Sequence, residues 1–298
     1  MKKFTYQEIK EFVSKPIFNE KIILKKDPSW PKISIVTPSY NQAKFLERTI
    51  LSVLNQNYPN LEYIIIDGGS TDGSVEIIKK YEKHLAYWIS EKDNGMYDAI
   101  NKGLKIAKGD ILAYLNSDDL YYPNTIRTAV DYFQNHVDTG LIYGDCDFID
   151  SQDCFLYTYH YPTFKWRQFI VLNWSSIPQE ASFWRRDVHK GVGYFNPEFK
   201  MAGDFEFYAR VNKYFQIVHL RKVLAMHRLH KKSLTSSRPD KNQEEVKRLH
   251  RQYGISDGFV IICLRYLGEF QIKLLNFPLM IKKIVGIKKR FYKYNATQ

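Results

Sequence analysis

The sequence predicts an α/β fold: a mixed, mainly parallel central sheet flanked by helices, with a helical extension at the C-terminal end. Three observations carry that expectation. From Lys32 to Tyr143, short apolar runs alternate with segments whose apolar residues recur at helical spacing, the rhythm of βαβ units. The run Ile111-Leu-Ala-Tyr-Leu115 is apolar on both faces, as a strand covered by helices on both sides is. Carboxylates stand just past such runs, at Asp67 and at Asp118-Asp119. Parallel strands joined by right-handed crossovers point the same way, so Thr37, Asp67 and Asp118 are expected along one sheet edge, where open α/β sheets bind ligands. Turn chemistry explains each acid singly. It explains poorly why the second and fourth strands both end on one.

In chain order, Thr5-x-x-Glu8 is a capping box opening a short helix to about Val13. Pro16 and Asp27-Pro28 interrupt the segment after that helix, so residues 1–30 form an appendage without chemistry of its own. The first strand, Ile33–Thr37, is stopped by Pro38, and a helix then carries Phe45, Leu46, Ile50, Val53 and Leu54 on one face. After the strand Tyr63–Ile66, the residues Val75, Ile78 and Tyr81 mark a helix from Ser74 to about Lys83. Tyr87–Ser90 is a short strand, and Tyr97–Ala107 is a helix with Lys108-Gly109 in the C-cap position. Past Ile111–Leu115, Pro123 suits the first position of a helix to about Asn135, and Leu141–Tyr143 is a further strand.

A chain of 298 residues can bury a sizeable core. Its net charge of +12 points to an anionic partner. Three cysteines, Cys146, Cys154 and Cys263, lack Cys-x-x-Cys spacing, which gives neither a disulfide framework nor a zinc signature and favours a reducing compartment. The first residues lack a signal-peptide core, and no uncharged apolar run reaches the roughly 18 residues of a spanning helix. A cytoplasmic location is expected, peripheral at most on the cytoplasmic face of a membrane.

Asp118 and Asp119 are hard oxygen ligands for a divalent cation such as Mg²⁺, which can in turn hold a diphosphate. There is no Gly-x-x-x-x-Gly-Lys-[Ser/Thr] loop. Asp67-Gly-Gly-Ser-Thr-Asp-Gly-Ser74 begins with its acid, whereas dinucleotide folds place theirs about 20 residues later. A redox cofactor is not expected.

Thr37-Pro-Ser-Tyr-Asn41, Ile64-Ile-Ile-Asp-Gly-Gly-Ser-Thr-Asp-Gly-Ser74, Glu91-Lys-Asp-Asn-Gly-Met-Tyr-Asp-Ala-Ile-Asn-Lys-Gly103 and Leu115-Asn-Ser-Asp-Asp119 occur in that order. Together they resemble the family 2 glycosyltransferases of the GT-A fold, closely over Ile33 to Asp150 and more loosely to about Ser237. The resemblance implies transfer of a sugar, with inversion, from a nucleotide-sugar, usually a UDP-sugar, aided by Mg²⁺ or Mn²⁺. It implies that Thr37 belongs to the nucleotide-sugar site, that Pro38 and Tyr40 line the base pocket, and that Asp67 pairs with the uracil edge. It further implies that Asp93 lies around base and ribose, Asp118 by the ribose, and Asp119 on the cation. Asn101 and Lys102 match the family run on the following helix and are assigned to the same site. Asn116 and Ser117 stand where an earlier acid of Asp-x-Asp is often found, leaving Asp119 as the main carboxylate on the metal.

In the second half, Met201-Ala-Gly-Asp-Phe-Glu-Phe207 resembles the family's base motif, which makes Asp204 the general base. A helix N-terminus favours its ionised form, from an ordinary value of about 3.9. Glu206, two residues on, faces elsewhere on a helix. Met226-His-Arg-Leu-His230 resembles a run ending in Arg-x-His, which implies that His230 ligates the metal or touches the diphosphate; Arg228 fits the pattern and His227 is displaced from it. Gln179-Glu-Ala-Ser-Phe-Trp-Arg-Arg186 is expected to wall the acceptor site, with Trp184 either stacking on a sugar or lying in the core. Lys231, Lys232 and Arg238 could cover the diphosphate or form a solvated loop. The catalytic unit is then residues 31–240, with nucleotide-sugar binding in 31–150 and the acceptor side in 151–240, followed by a basic amphipathic tail, 241–298.

Beyond Glu269 there is no acid, while Lys273, Lys282, Lys283, Lys288, Lys289, Arg290 and Lys293 accumulate among apolar residues. That mixture suits helices lying in an anionic membrane interface; packing on the catalytic unit or on a second subunit, as a homo-oligomer, is the alternative. The partners implied are a UDP-sugar donor, a saccharide or lipid-linked saccharide acceptor, and an anionic membrane surface. Two other classes compete. A sugar nucleotidyltransferase would share the architecture and the metal but start its sheet with a Gly-rich basic loop, which Thr37–Asn41 is not. A nucleic-acid-binding protein would use the positive charge and the many Tyr, yet no nucleic-acid module is present, so no specific nucleic acid is expected. The departure at Asn116-Ser117 also admits a catalytically dead relative.

Overall fold

The computed structural model describes residues 5–172, 177–231, 233, 239–255 and 259–277. Among them the strands are β1 (Ile33–Ser39), β2 (Leu61–Asp67), β3 (Tyr87–Ser90), β4 (Ile111–Tyr114), β5 (Leu120–Tyr121), β6 (Thr139–Ile149), β7 (Phe155–Tyr159), β8 (Ser182–Arg185) and β9 (Gln216–Arg228). The helices are α1 (Tyr6–Ser14), α2 (Glu20–Lys25), α3 (Ala43–Leu54), α4 (Ser74–Tyr81), α5 (Met96–Ile106), α6 (Thr125–Asn135), α7 (Trp166–Ile170), α8 (Val188–Val192), α9 (Gly203–Tyr214), α10 (Pro239–Gln252) and α11 (Phe259–Leu275).

The strands form one sheet in the order β3-β2-β1-β4-β8-β6-β9-β5, with β7 also on β6. β3, β2, β1 and β4 are parallel. β8 runs antiparallel to both β4 and β6, while β9 is parallel to β6. The expected parallel sheet is therefore the first half, and the second half is mixed around β8. Strand order reverses at β1, between β2 and β4, which makes their carboxyl ends the switch-point crevice. β1, β2 and β4 are buried throughout, and the predicted apolar face of α3 is buried, the helix packing on α1, α4 and β5. On α5, a Cβ at Gly103 would lie 2.5 Å from Val36 Cγ1, so only glycine allows the helix to sit this close to β1.

Several boundaries differ from the sequence expectation for local reasons. Pro38 lies inside β1, paired with Ile66. β4 follows β1 only as far as Val36 opposite Tyr114, so on that side the proline has no ladder to break. Gly109 is not the cap of α5, which is Ala107; a Cβ there would lie 2.5 Å from Ser34 N, so the residue serves a close backbone approach. α6 begins at Thr125 after a left-handed Asn124 (φ 66°), not at Pro123. The capping box at Thr5 and Glu8 is present, and α1 buries Ile9, Phe12 and Val13 against Leu120, Ile149 and Met226. The appendage thus braces the residues that flank Asp119 and His227.

Candidate active site

The turn after β4 is closed by the Asp119 N–H donating to Asn116 O at 3.1 Å. Pairing of β5 with β9 sets Leu120 opposite Met226, which brings Asp119 to His227 and Arg228. A single helical turn at Gln179–Ala181, just before β8, adds Gln179 and Glu180. Asp119 is 1% exposed. Its Oδ1 accepts from Arg228 N at 2.9 Å and its Oδ2 from Gln179 Nε2 at 3.1 Å. His227 Nδ1 lies 3.6 Å from Asp119 Oδ1 and 3.2 Å from Glu180 Oε1. One ligand atom from each of Asp119, Glu180 and His227 lies within 4.8 Å of the other two.

Burial holds the Asp119 carboxyl above the ordinary carboxylate range. Burial alone would discharge His227, but the Asp119 and Glu180 carboxylates outweigh it and keep the ring protonated. Burial likewise opposes ionisation of Glu180, and His227 outweighs it, holding that carboxyl low. The imidazolium proton therefore stands where two carboxylates would otherwise repel, the place a divalent cation suits. Two carboxylates and an imidazole suit Mn²⁺ better than Mg²⁺, which favours oxygen. Among the described residues, Gln179 Oε1 and Asn116 Oδ1 are buried here without a protein partner, and such acceptors call for an ion, water or ligand. The donor set fits the cation. Glu180, far along the chain, stands where it can make up for the acid missing at Asn116-Ser117.

His230, expected at the metal or the diphosphate, lies outside this trio: its Nε2 is 2.8 Å from Asp118 Oδ2. Arg228 is buried, and its Nε donates to Asp118 O at 2.7 Å. Its guanidinium also pairs with Asp153, which binds Arg48 at 2.6 Å. This clamp fixes the Asp118-Asp119 turn from behind.

At the ends of β1 and β2, Tyr40 is 62% exposed. A Cβ at Gly68 would lie 2.5 Å from Asp93 Oδ2 and 3.3 Å from Tyr40 Cδ2, so glycine lets Tyr40 and Asp93 close over one spot. The other expected binders have protein partners. Asp67 is buried, and its carboxylate accepts from Gly69 N, Ser70 N and Ser90 Oγ on Oδ2 and from Ser70 Oγ on Oδ1; it organises its loop, and Oδ1 keeps acceptor capacity for a further donor. Thr37 Oγ1 lies 3.1 Å from Tyr63 OH inside the sheet, and Pro38 is buried in β1. Asn101 brackets Phe195, accepting from its N–H at 3.1 Å and donating to its carbonyl at 2.7 Å. Lys102 pairs with Glu91 at 2.8 Å on the flank of α5.

Asp204 sits in the first turn of α9. Its N–H donates to Tyr97 OH at 3.0 Å, and its Oδ1 accepts from Phe205 N at 2.8 Å. A Cβ at Gly203 would lie 2.6 Å from the Tyr97 ring, so the glycine seats the tyrosine under the turn. Burial pushes the Asp204 carboxyl up to about 6, against the Phe205 N–H and with help from Glu180. The helix-terminus argument alone anticipates a low value; desolvation outweighs it. Glu206 is buried and paired with Arg210 at 2.6 Å, which leaves Asp204 as the acid available for chemistry. Trp184 is a core residue whose Nε1 donates to His189 Nε2 at 3.0 Å. Lys231 is exposed, while Lys232 and Arg238 lie outside the described residues.

The loop before α9 is held from a distance. Glu245 on α10 accepts from Lys200 N at 2.8 Å, Met201 N at 2.8 Å and Ala202 N at 2.9 Å. Nothing in the sequence marks this glutamate, which lies in the stretch assigned to the tail. Glu245→Ala should lower kcat by about 10–100-fold through misplacement of the base, with nucleotide affinity retained. Steady-state kinetics beside nucleotide titration would check it, and an unchanged kcat would mean that the loop holds itself.

The family description "Glycosyl transferase family 2" matches residues 34–193. An uncharacterized glycosyltransferase of Mycobacterium tuberculosis is 34% identical over 200 residues, covering 66% of this chain and 74% of that protein. A PGL/p-HBAD biosynthesis glycosyltransferase of Mycobacterium bovis is 28% identical over 188 residues, 60% of this chain and 69% of that one. Among solved structures, S. aureus TarS 1-349 in complex with UDP-GlcNAc aligns with a TM-score of 0.59 at 20% identity, over 76% of this chain and 68% of that chain. The mannosyltransferase PcManGT from Pyrobaculum calidifontis, in complex with GDP-Man and Mn²⁺, aligns with a TM-score of 0.59 at 18% identity, over 94% and 82%. The fold shared with these structures is GT-A. The chain is a glycosyltransferase and belongs to glycosyl transferase family 2.

Proposed function

We propose that this enzyme transfers a sugar, with inversion, from a UDP-sugar to a hydroxyl of a saccharide or lipid-linked saccharide, in polysaccharide or glycolipid synthesis at the cytoplasmic face of a membrane. Asp204 is the general base and Mg²⁺ or Mn²⁺ the cofactor. One observation carries the reading: Asp119, Glu180 and His227 each bring a ligand atom within 4.8 Å of the other two beside the Asp118-Asp119 turn, a cation site of the kind a departing diphosphate needs. Tyr40 and Asp93 flank the open edge suited to the base and ribose. Asp119, Glu180 and His227 would hold the cation, which when bound supplies charge neutralisation for the departing diphosphate. Asp204 removes the proton of the attacking hydroxyl. The UDP-GlcNAc of TarS supports a UDP donor; the GDP-Man of PcManGT makes GDP the comparison to run.

The test is calorimetric titration of UDP, GDP and CMP with Mn²⁺ and then with EDTA. Selective, cation-dependent UDP binding is expected. Tight binding of another nucleotide would overturn the donor, and binding indifferent to EDTA would overturn the cofactor. The two histidines separate in the same assay. His227→Ala should weaken the cation by about 10–100-fold, whereas His230→Ala should act on nucleotide affinity through Asp118. The reverse pattern would return His230 to the metal.

A further inference from the structure

α11 carries one charged stripe, Arg265, Glu269 and Lys273 at i, i+4 spacing, and is otherwise largely apolar. Its inner face is held firmly: Gly268, Ile272 and Asn276 are buried, and a Cβ at Gly268 would lie 2.9 Å from Leu172 Cδ2. Just past the helix, Asn276 brackets His160, accepting from its N–H at 3.0 Å and donating to its carbonyl at 2.9 Å. The outer face and the residue beyond it carry Tyr266, Leu267, Phe270, Leu274 and Phe277, exposed by 70, 61, 64, 63 and 55%. A contiguous exposed apolar patch marks an interaction surface.

Charge decides between the two covers that chemistry offers, a second copy or a bilayer. From Phe270 to the end of the sequence there are seven Lys or Arg residues and no acid. A second copy would bring the same excess of positive charge to this segment and no acid to pair with it. An anionic lipid surface would attract both the patch and the segment after it. Aromatic and aliphatic side chains on one face of a helix, beside lysines, suit the boundary between headgroups and acyl chains. Among the described residues no helix is long and apolar enough to cross a membrane, and the inner face is committed to the protein. The helix would therefore lie flat.

We propose that the outer face of α11 is the surface on which the enzyme docks to an anionic bilayer. α11 packs on α7, and α7 on α9, whose first turn holds Asp204. Docking thus sits two helices from the base, a short reach for a lipid-linked acceptor. That last point rests on the function proposed above; the docking itself does not, because vesicle binding needs neither donor nor acceptor.

The experiment is cosedimentation of the full chain with vesicles of equimolar phosphatidylcholine and phosphatidylglycerol, and with phosphatidylcholine alone. Binding to the anionic vesicles only is expected. The triple variant Tyr266→Ser, Phe270→Ser, Leu274→Ser should partition at least about tenfold more weakly, with its melting curve and nucleotide binding unchanged. Equal binding by that variant would assign attachment to the basic segment and overturn the proposal. Should the variant fail to fold, Phe270→Ser alone carries the comparison. Wild-type protein that ignores anionic vesicles but dimerises, and loses its dimer in the variant, would give the face to a second copy.

Discussion

Asp204→Asn is expected to lower turnover by about 10²–10⁴ while the nucleotide-sugar still binds. The amide keeps an oxygen for the Phe205 N–H, so the first turn of α9 survives and the loss is the loss of a base. Wild-type kcat should rise with pH around an apparent pKa of about 6, the value to which burial pushes this carboxyl, and be flat well above it. The variant should lack that limb. Stability should move the other way. A carboxyl raised above its unfolded value of about 3.9 contributes stability fully below that value, and the contribution is lost as pH rises through about 6. At about pH 8 wild type therefore carries an ionised, desolvated group, and Asp204→Asn should melt higher; near pH 4 the two should converge. A variant with wild-type turnover would remove Asp204 from the role.

Asp119→Asn is the other large effect. The variant keeps an acceptor for Arg228 N, but it can turn a second donor toward Gln179 Nε2, and His227 is left with Glu180 alone. Turnover should fall by about 10²–10³, the scale set by losing one preorganised electrostatic contact. The Mn²⁺ concentration for half-maximal rate should rise by at least about tenfold. Activity measured across a Mn²⁺ series, beside calorimetry of Mn²⁺ alone, reads both effects. An unchanged Mn²⁺ dependence would move the cation elsewhere.

How much of the molecule is legible in the sequence depends on where each constraint lies. The runs that become β1, β2 and β4 are visible because strands covered on both sides must be apolar, and the acids at their ends line up because the strands share a direction. The clustering of Asp119, Glu180 and His227 is not visible, because it depends on β5 pairing with β9 and on β8 entering antiparallel. Those are tertiary choices with no local signature. Asp67 and Asn101 mark the opposite limit. Their positions match a family motif, but residue type does not reveal that one carboxylate is committed to its own loop and one amide to Phe195. Pro38 is similar: a strand breaker by local rule, tolerated because β4 stops short.

The hold of Glu245 on the loop before α9 also has a consequence for how the enzyme is made. The nucleotide side and the trio are complete once β9 has left the ribosome, yet the base loop gains its carboxylate only when α10 emerges. A chain arrested between Arg228 and Pro239 would have every strand of the sheet in hand and an unfinished catalytic loop. Until α10 emerges, that loop lacks the backbone bonds that Glu245 accepts from Lys200, Met201 and Ala202.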